Sequence, residues 1–273
     1  MGEKEVIERS TNGPVTIDRL RSDLEDLDLE PGMTLLVHSS LSALGWVCGG
    51  AQAAIMALED VIRPYGNLVM PAHSGDLSDP SGWQHPPVPE SWWDVIRETT
   101  PAFDPDLTPT RGIGKIAEVF RKQPDVLRSA HPQVSFSAWG DNCVEIVQDH
   151  QLEYSLGETS PLARIYERNG WVLLLGVDHS SNTSLHLAEI RAKFGRKEIV
   201  QCGSPVSIDG HRRWKQYDDL DYDESDFEEL GRDFLKDCGN DVKQGAVGYA
   251  NAQLFPQVLC VDYAQRWFER KRR

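Results

Sequence analysis

The stretch Thr34-Leu-Leu-Val-His-Ser-Ser-Leu-Ser-Ala-Leu-Gly-Trp-Val-Cys-Gly-Gly50, continued by Ala51–Ile62, Pro64-Tyr-Gly66 and Asn67-Leu-Val-Met70, decides the fold class. Thr34–His38 is a short apolar run of the kind that forms a buried strand. A loop rich in serine and glycine follows, and Ala51–Ile62 has helical composition. Pro64-Tyr-Gly66 is a turn signal, and Asn67–Met70 is again strand-like. Strand, loop, helix and strand in this order form a βαβ unit, the building block of an α/β protein.

Outward from this unit the pattern continues. Residues 15–30 read as a helix capped by Thr16, with Ile17, Leu20, Leu24 and Leu27 on one side. Helical character recurs at Gly114–Lys122, Asn142–His150, Leu162–Arg168 and Val261–Arg273. Ser135–Gly140 and Trp171–Gly176 read as strands, and residues 199–217 as a hairpin turning at Asp209-Gly210. Residues 71–110 differ, holding many prolines with Trp83, Trp92 and Trp93. So long an irregular stretch is a functional loop or a linker; its aromatics favour a structured flap with a short helix at Glu90–Thr99. Asp218–Glu229 is an acidic run, expected to be a solvated face. With no repeat or convincing linker, one domain over 1–273 is expected.

The chain has 273 residues, 40% of them hydrophobic, and a net charge of −15. Its size and apolar content allow a substantial core. The negative charge disfavours nucleic acid, which needs clustered Lys and Arg, and favours a cationic ligand. No window approaches a membrane span, and Met-Gly-Glu-Lys-Glu-Val lacks a signal-peptide core, so a cytoplasmic location is expected. The five cysteines are scattered without CxxC spacing, which suggests neither a disulfide framework nor zinc.

Chemistry concentrates in Asn182-Thr-Ser-Leu-His-Leu-Ala-Glu189. If this segment begins a helix, His186 and Glu189 share one face. A carboxylate on one ring nitrogen leaves the other as a directed base; a packed helix histidine beside a surface glutamate is the plainer alternative. The loop from His38 to Gly50 could offer backbone N–H groups to a pyrophosphate, or be an ordinary glycine-rich helix entry. It matches neither GxGxxG nor GxxxxGK[ST]. Arg111 could clamp a phosphate or form a surface ion pair. Asp76 and Asp79 could make an anionic pocket covered by Trp83, or cap turns. His131, before a proline, is a weaker functional candidate. A metal site using His73, His131, His179 and His186 is disfavoured, because no ligand spacing such as HExxH occurs.

Taken together, these segments resemble the aminoglycoside 3-N-acetyltransferase family. The resemblance rests on His38-Ser-Ser-Leu41 with Gly45 and Gly49-Gly50; Val69-Met-Pro71 with Asp76 and Asp79-Pro80; Pro86-Pro-Val-Pro89 with Trp92-Trp93; and Thr99–Gly112. It continues through Arg128-Ser-Ala-His-Pro132, Ser160-Pro-Leu162, Leu174-Leu-Gly-Val177, Asn182–Glu189, Gly245-Ala-Val-Gly248 and Leu254-Phe255. It implies a three-layer α/β/α fold with a central mixed, largely parallel sheet, distinct from the GNAT fold. It implies acetyl transfer from acetyl-coenzyme A to the 3-amino group of a 2-deoxystreptamine ring, hence antibiotic resistance. His186 would be the general base and Glu189 its orienting partner. His38, Ser39, Ser40, Leu41, Gly45, Gly49, Gly50, Thr110, Arg111, Ser135 and Phe136 would hold the coenzyme.

The chemistry of the residues agrees with that assignment. A histidine with an ordinary pKa of about 6.5 can take a proton from an attacking amine at neutral pH. The attack is direct and needs no cysteine or metal. Thr183, from its position, could bond the thioester oxyanion. Asp76, Asp79, Trp83 and part of Asp218–Glu224, Asp219 in particular, are the candidates for binding a polycationic acceptor. Asp178-His-Ser-Ser181 departs from the family's pattern, so His179 is expected to line the pocket or tune specificity. Two rivals stand beside this reading: a same-fold acyltransferase acting on another amine, and a binder that sequesters cations without catalysis. The sequence leaves the oligomeric state open, a homodimer included.

Overall fold

A computed structural model describes residues 2–195 and 197–272. In chain order its helices and strands are α1 Glu3–Arg9, α2 Ile17–Asp26, β1 Thr34–Ser39, α3 Gly50–Ile62, β2 Asn67–Pro71, α4 Trp93–Thr99, α5 Lys115–Phe120, β3 Leu127–Arg128, β4 Phe136–Gly140 and α6 Cys143–Val147. There follow α7 Pro161–Glu167, β5 Trp171–Leu175, α8 Ser184–Arg191, β6 Ile199–Ile208, β7 His211–Leu220, α9 Phe227–Cys238, β8 Lys243–Val247, β9 Ala250–Pro256 and α10 Gln257–Lys271.

Successive side chains of a strand point to opposite faces, and that alternation builds the layers. Leu35 and Val37 of β1 enter one core with Leu20 and Leu24 of α2, Ile55 and Leu58 of α3, and Phe120 of α5. Leu36, between them, enters a second core with Leu162 of α7, Leu185 of α8, Phe234 of α9 and Phe268 of α10. β5 divides in the same way, with Leu173 and Leu175 on one side and Val172 and Leu174 on the other. A strand buried on both faces must be apolar throughout, which is why Leu-Leu-Val and Val-Leu-Leu-Leu read as unbroken runs. Each such leucine contributes about 2 kcal/mol by burial.

The central sheet has seven strands in the order β3-β4-β2-β1-β5-β9-β8, and β6 with β7 forms a separate two-stranded sheet. The expected three-layer arrangement and mixed sheet are present. Parallel pairing is narrower than expected: β1 pairs in parallel with β2 and with β5, whereas β2–β4, β3–β4, β5–β9 and β8–β9 are antiparallel. The reason lies in the connections. β8 and β9 follow each other within a few residues, too few for a crossover helix.

The hairpin turns at Asp209-Gly210 as its sequence requires, with both residues at positive φ. The proline-rich stretch is structured and tied down. Arg128 donates to the carbonyls of Thr108 and Ala72, the Phe103 N–H donates to the Pro205 carbonyl, and Arg212 Nε donates to the Thr100 carbonyl. The final helix starts earlier than expected, at Gln257, and Arg273 lies outside the described residues. Five elements have no counterpart in the sequence reading: α1, β3, β8, β9 and α9, the last of which begins within the acidic run expected to be a solvated face. Phe227, Leu230 and Phe234 bury one side of α9, while Glu228 and Glu229 face outward.

Candidate active site

The three mutually parallel strands end at one place. In the register, His38 of β1 lies beside Leu174 of β5 and Ser39 beside Leu175. β1 then releases the loop from Ser40 to Gly50, β2 leads to Pro71 and His73, and β5 leads to Val177–His186. Side chains from all three connections line a cavity of about 940 Å³, together with Gly112–Lys115, Ala117, Glu224 and Phe227. Carboxyl ends of parallel strands are where open α/β sheets bind ligands, because the connecting helices begin there.

Glycine shapes the first wall. Gly45 has φ 88°, and a Cβ there would sit 2.4 Å from the Tyr249 ring. Gly49 is left-handed and caps α3, turning the chain so that Gly49 and Gly50 face the cavity at the helix N-terminus. Ser39, Ser40, Leu41 and Ser42 complete this wall. Among the described lining residues Lys115 is the one lysine or arginine, and it opens α5.

His186 and Glu189 form the opposite wall. The segment after Asn182 is helical, so the two residues lie one turn apart on α8. Asn182 Oδ1 accepts the Ser184 N–H and supports the helix start. His186 Nδ1 donates to Glu189 Oε2 at 3.0 Å. The other carboxylate oxygen of Glu189 accepts from Arg272 Nη1 at 2.5 Å and from the Asp223 N–H at 3.1 Å. Glu189 is therefore not a surface residue; it is 1% exposed and fully bonded.

On its cavity side His186 Nε2 lies 3.3 Å from Glu224 Oε1. The ring is held between Tyr222, edge-on at 4.8 Å, and Phe227 at 4.9 Å. Burial disfavours charge on the imidazole, but the hydrogen bonds and negative charges of Glu189 and Glu224 outweigh it and raise the pKa above its usual 6.5. The hydrogen bond from His186 in turn lowers Glu224. When protonated, His186 donates from both nitrogens; when neutral, its Nε2 is a base facing the cavity.

Burial lowers His38, His73, His131, His150 and His179 and favours their neutral forms. Burial, reinforced by neighbouring histidines, pushes His38 and His73 down to about 3. His38 Nε2 lies 3.4 Å from Thr183 Oγ1, so Thr183 stands on the cavity wall beside the base. His131 is structural: its Nδ1 accepts the Gln133 and Val134 N–H groups and its Nε2 donates to the Leu152 carbonyl. His179 does not line the cavity. It is buried, stacked on Phe255 at 5.3 Å, and the following Ser180 and Ser181 face the cavity instead.

The structure thus gathers His38, Ser39, Ser40, Leu41, Gly45, Gly49, Gly50, Thr183 and His186, with Glu189 behind His186. Other candidates stand away from the cavity. The Thr110 hydroxyl donates to Glu118 at 2.5 Å, and Arg111 pairs with Asp76. Ser135 is buried between Arg128 and the Ala72 carbonyl, and Phe136 is in the second core. Asp79 accepts both Arg97 Nε and Nη2, at 2.9 and 2.8 Å, which with Ser81 lowers its pKa to about 2 against the opposing effect of burial. Trp83 Nε1 donates to Ser78 at 2.8 Å.

Asp219 is 6% exposed and accepts from Ser155, Leu220 and Tyr222, a buried structural carboxylate rather than a free one. It accepts from the hydroxyl of Tyr222, whose ring packs against His186. Glu224, Tyr222, Phe227, Lys115 and Arg272 are not singled out individually by the sequence, and His73 enters it only in the disfavoured metal reading. Glu224 sat within an acidic stretch considered for cation binding; nothing local marks the others.

The comparisons with known proteins point one way. The family model for aminoglycoside 3-N-acetyltransferase matches residues 36–269. The SPbeta prophage-derived aminoglycoside N(3')-acetyltransferase-like protein YokD of Bacillus subtilis (strain 168) is 48% identical, over 97% of this chain and 96% of that protein. The crystal structure of YokD superposes with a TM-score of 0.95, covering 98% of both chains. Two further solved structures carry ligands. AAC-IIIb, binary with CoASH, is 30% identical with a TM-score of 0.84 over 95% of this chain and 98% of that one. AAC-VIa bound to sisomicin is 30% identical with a TM-score of 0.85 over 95% and 99%.

Proposed function

Because the chain belongs to the aminoglycoside 3-N-acetyltransferase family, we propose that it transfers acetyl from acetyl-coenzyme A to the 3-amino group of an aminoglycoside's 2-deoxystreptamine ring, with His186 as general base. Such a reaction would inactivate the antibiotic and confer resistance. The observation that carries the reading is the His186–Glu189 pair, its Nε2 edge turned beside Glu224 into a cavity whose far wall is the glycine-rich entry to α3. AAC-IIIb with CoASH and AAC-VIa with sisomicin support the two substrate classes.

The cavity suits two ligands. Its volume lies at the upper end of small-molecule sites, roughly 300–1,000 Å³. The Gly49 N–H, the helix dipole of α3 and Lys115 supply the positive potential that a pyrophosphate needs, while the Gly50 N–H donates to the Val47 carbonyl. Glu224, on the cavity side of His186, supplies negative potential for an ammonium group, in keeping with the net charge of −15.

The acceptor arrives largely as an ammonium ion and must lose a proton to become a nucleophile. Neutral His186 takes a proton at Nε2 as the amine nitrogen attacks the thioester carbonyl carbon. Glu189 holds the Nδ1 proton and stabilises the imidazolium as it forms. The new N–C bond forms and the C–S bond breaks; the His186 imidazolium gives its proton to the departing thiolate, and the proton first lost by the ammonium ion goes to solvent. The Thr183 hydroxyl donates to the carbonyl oxygen while it carries charge. No covalent enzyme intermediate is required. Holding both substrates in one cavity supplies several kcal/mol of the barrier, on the order of that gained in oriented intramolecular reactions.

The test is thiol release from acetyl-coenzyme A with gentamicin, kanamycin and apramycin as acceptors, beside His186→Ala. Acceptor-dependent release that falls by about a hundredfold or more in the variant supports the reaction and the base. Release that survives the substitution removes His186 from that role. Absence of release with every acceptor redirects the reading to a different amine.

A further inference from the structure

Arg272 stands one residue past α10 and beyond the span matched by the family model. Its side chain is 12% exposed and lies over Phe268 at 4.2 Å. Nη1 donates to Glu189 Oε1 at 2.5 Å. Nε and Nη2 donate to the two oxygens of Asp226 at 2.7 and 2.5 Å, and Nη2 also donates to the Asp223 carbonyl at 2.6 Å. The Asp223 N–H closes the ring of bonds by donating to the same Glu189 oxygen. One guanidinium therefore joins the C-terminal helix, the carboxylate behind His186 and the loop that carries Glu224 to the cavity.

We infer that Arg272 is a positioning residue for the His186–Glu189 pair, fixing the Glu189 carboxylate with one oxygen toward His186 and anchoring the Asp223–Asp226 loop behind the cavity wall. The inference concerns geometry and charge at His186; only its activity arm rests on the base assignment proposed above. A fork of five donors can satisfy a carboxylate, a second carboxylate and a carbonyl at once, which a lysine ammonium cannot.

The guanidinium also sets the charge balance. The groups facing His186 are Glu189 on α8, Glu224 and Tyr222 after β7, His73 after β2 and His38 on β1. Arg272 faces Glu189 and Asp226, and Lys197 stands within electrostatic reach of Glu189. The negative charge of Glu189 favours a bound proton on His186. Removing a nearby cation strengthens that binding. A histidine that already holds the proton cannot take another from the amine.

The experiment compares the full chain with Arg272→Gln and Arg272→Lys. The midpoint of His186 is read by side-chain nitrogen NMR, and kcat/KM for acceptor-dependent thiol release is followed against pH. In the glutamine variant the midpoint and the acid limb are expected to rise together by about one pH unit, so that lost activity returns at higher pH. Lysine keeps the charge and loses the fork, so the midpoint stays near wild type while kcat falls several-fold. An unmoved midpoint in the glutamine variant overturns the inference, as does an equal loss at every pH in both variants with a lowered Tm. If the glutamine variant does not fold, the lysine variant decides: a wild-type midpoint with reduced kcat supports the inference, and a displaced midpoint overturns it. Thiol release that persists in His186→Ala removes the base assignment and leaves the NMR arm intact.

Discussion

Glu189→Gln tests the catalytic geometry with the smallest change of shape. The carboxylate accepts three hydrogen bonds: from His186 Nδ1, from Arg272 and from the Asp223 N–H. An amide has one oxygen and one NH2 group. Arg272 and the backbone N–H are both donors, so the amide oxygen must face them and its NH2 group must face His186. His186 Nδ1 then becomes an acceptor, the ring proton moves to Nε2, and the lone pair facing the cavity is lost. The electrostatic part points the same way. A carboxylate about 4 Å from a forming imidazolium is worth about 4 kcal/mol at an effective dielectric near 20. That corresponds to about a thousandfold in rate. Thiol release with saturating aminoglycoside is therefore expected to fall by about two to four orders of magnitude in kcat, with KM for acetyl-coenzyme A nearly unchanged. Side-chain nitrogen NMR should show the proton on Nε2. A kcat within about threefold of wild type with the original tautomer would falsify the assignment of Glu189 as the residue that orients the base.

Three further outcomes follow from the same geometry. Glu224→Gln removes one of the two carboxylates that raise His186, so the acid limb of kcat/KM, centred above 6.5 in the wild type, is expected to move to lower pH; an unchanged limb would exclude Glu224 from tuning the base. Burial keeps His38 and His73 down to about 3, His150 and His179 to about 4, and His131 well below its usual value. For groups lowered on folding, the unfolded chain binds protons first, so their stability is complete above about 6.5 and is lost as pH falls, at up to about 1.4 kcal/mol per group per pH unit. His186, raised on folding, behaves oppositely, gaining stability as pH falls through its folded value and nothing further below 6.5. Tm measured at pH 7.5, 6.5 and 5.5 should therefore drop across the last interval, and a flat curve there would contradict neutral burial of these rings. Lys115→Met should raise KM for acetyl-coenzyme A about fivefold or more with little change in kcat, an effect that shrinks as salt is added; an unaltered KM would place the phosphates elsewhere.

What could be read from the sequence and what could not divides along the reach of each interaction. Thr34–Met70 was legible because a βαβ unit is local: a buried strand, a turn and a helix each leave a short compositional trace. Asp209-Gly210 was legible because few dipeptides tolerate positive φ at both central positions. α9 was not, since its acidic residues dominate the count while Phe227, Leu230 and Phe234 sit on the other side of the same helix. β8 left little trace because four of its five residues are exposed at the sheet edge. The site divides in the same way. His186 and Glu189 are three residues apart and their pairing is a property of any helix. Glu224 is 38 residues from His186, and Arg272 is 83 from Glu189, so nothing in either neighbourhood announces the contact. Asp79 and Asp219 show the converse. Both were reasonable cation ligands by charge, yet Arg97 saturates one, and Ser155, Leu220 and Tyr222 surround the other. A carboxylate is available to a ligand only when the fold leaves its oxygens unspent, and in this cavity that description fits Glu224, whose side chain is 65% exposed and whose partner is the proposed base itself.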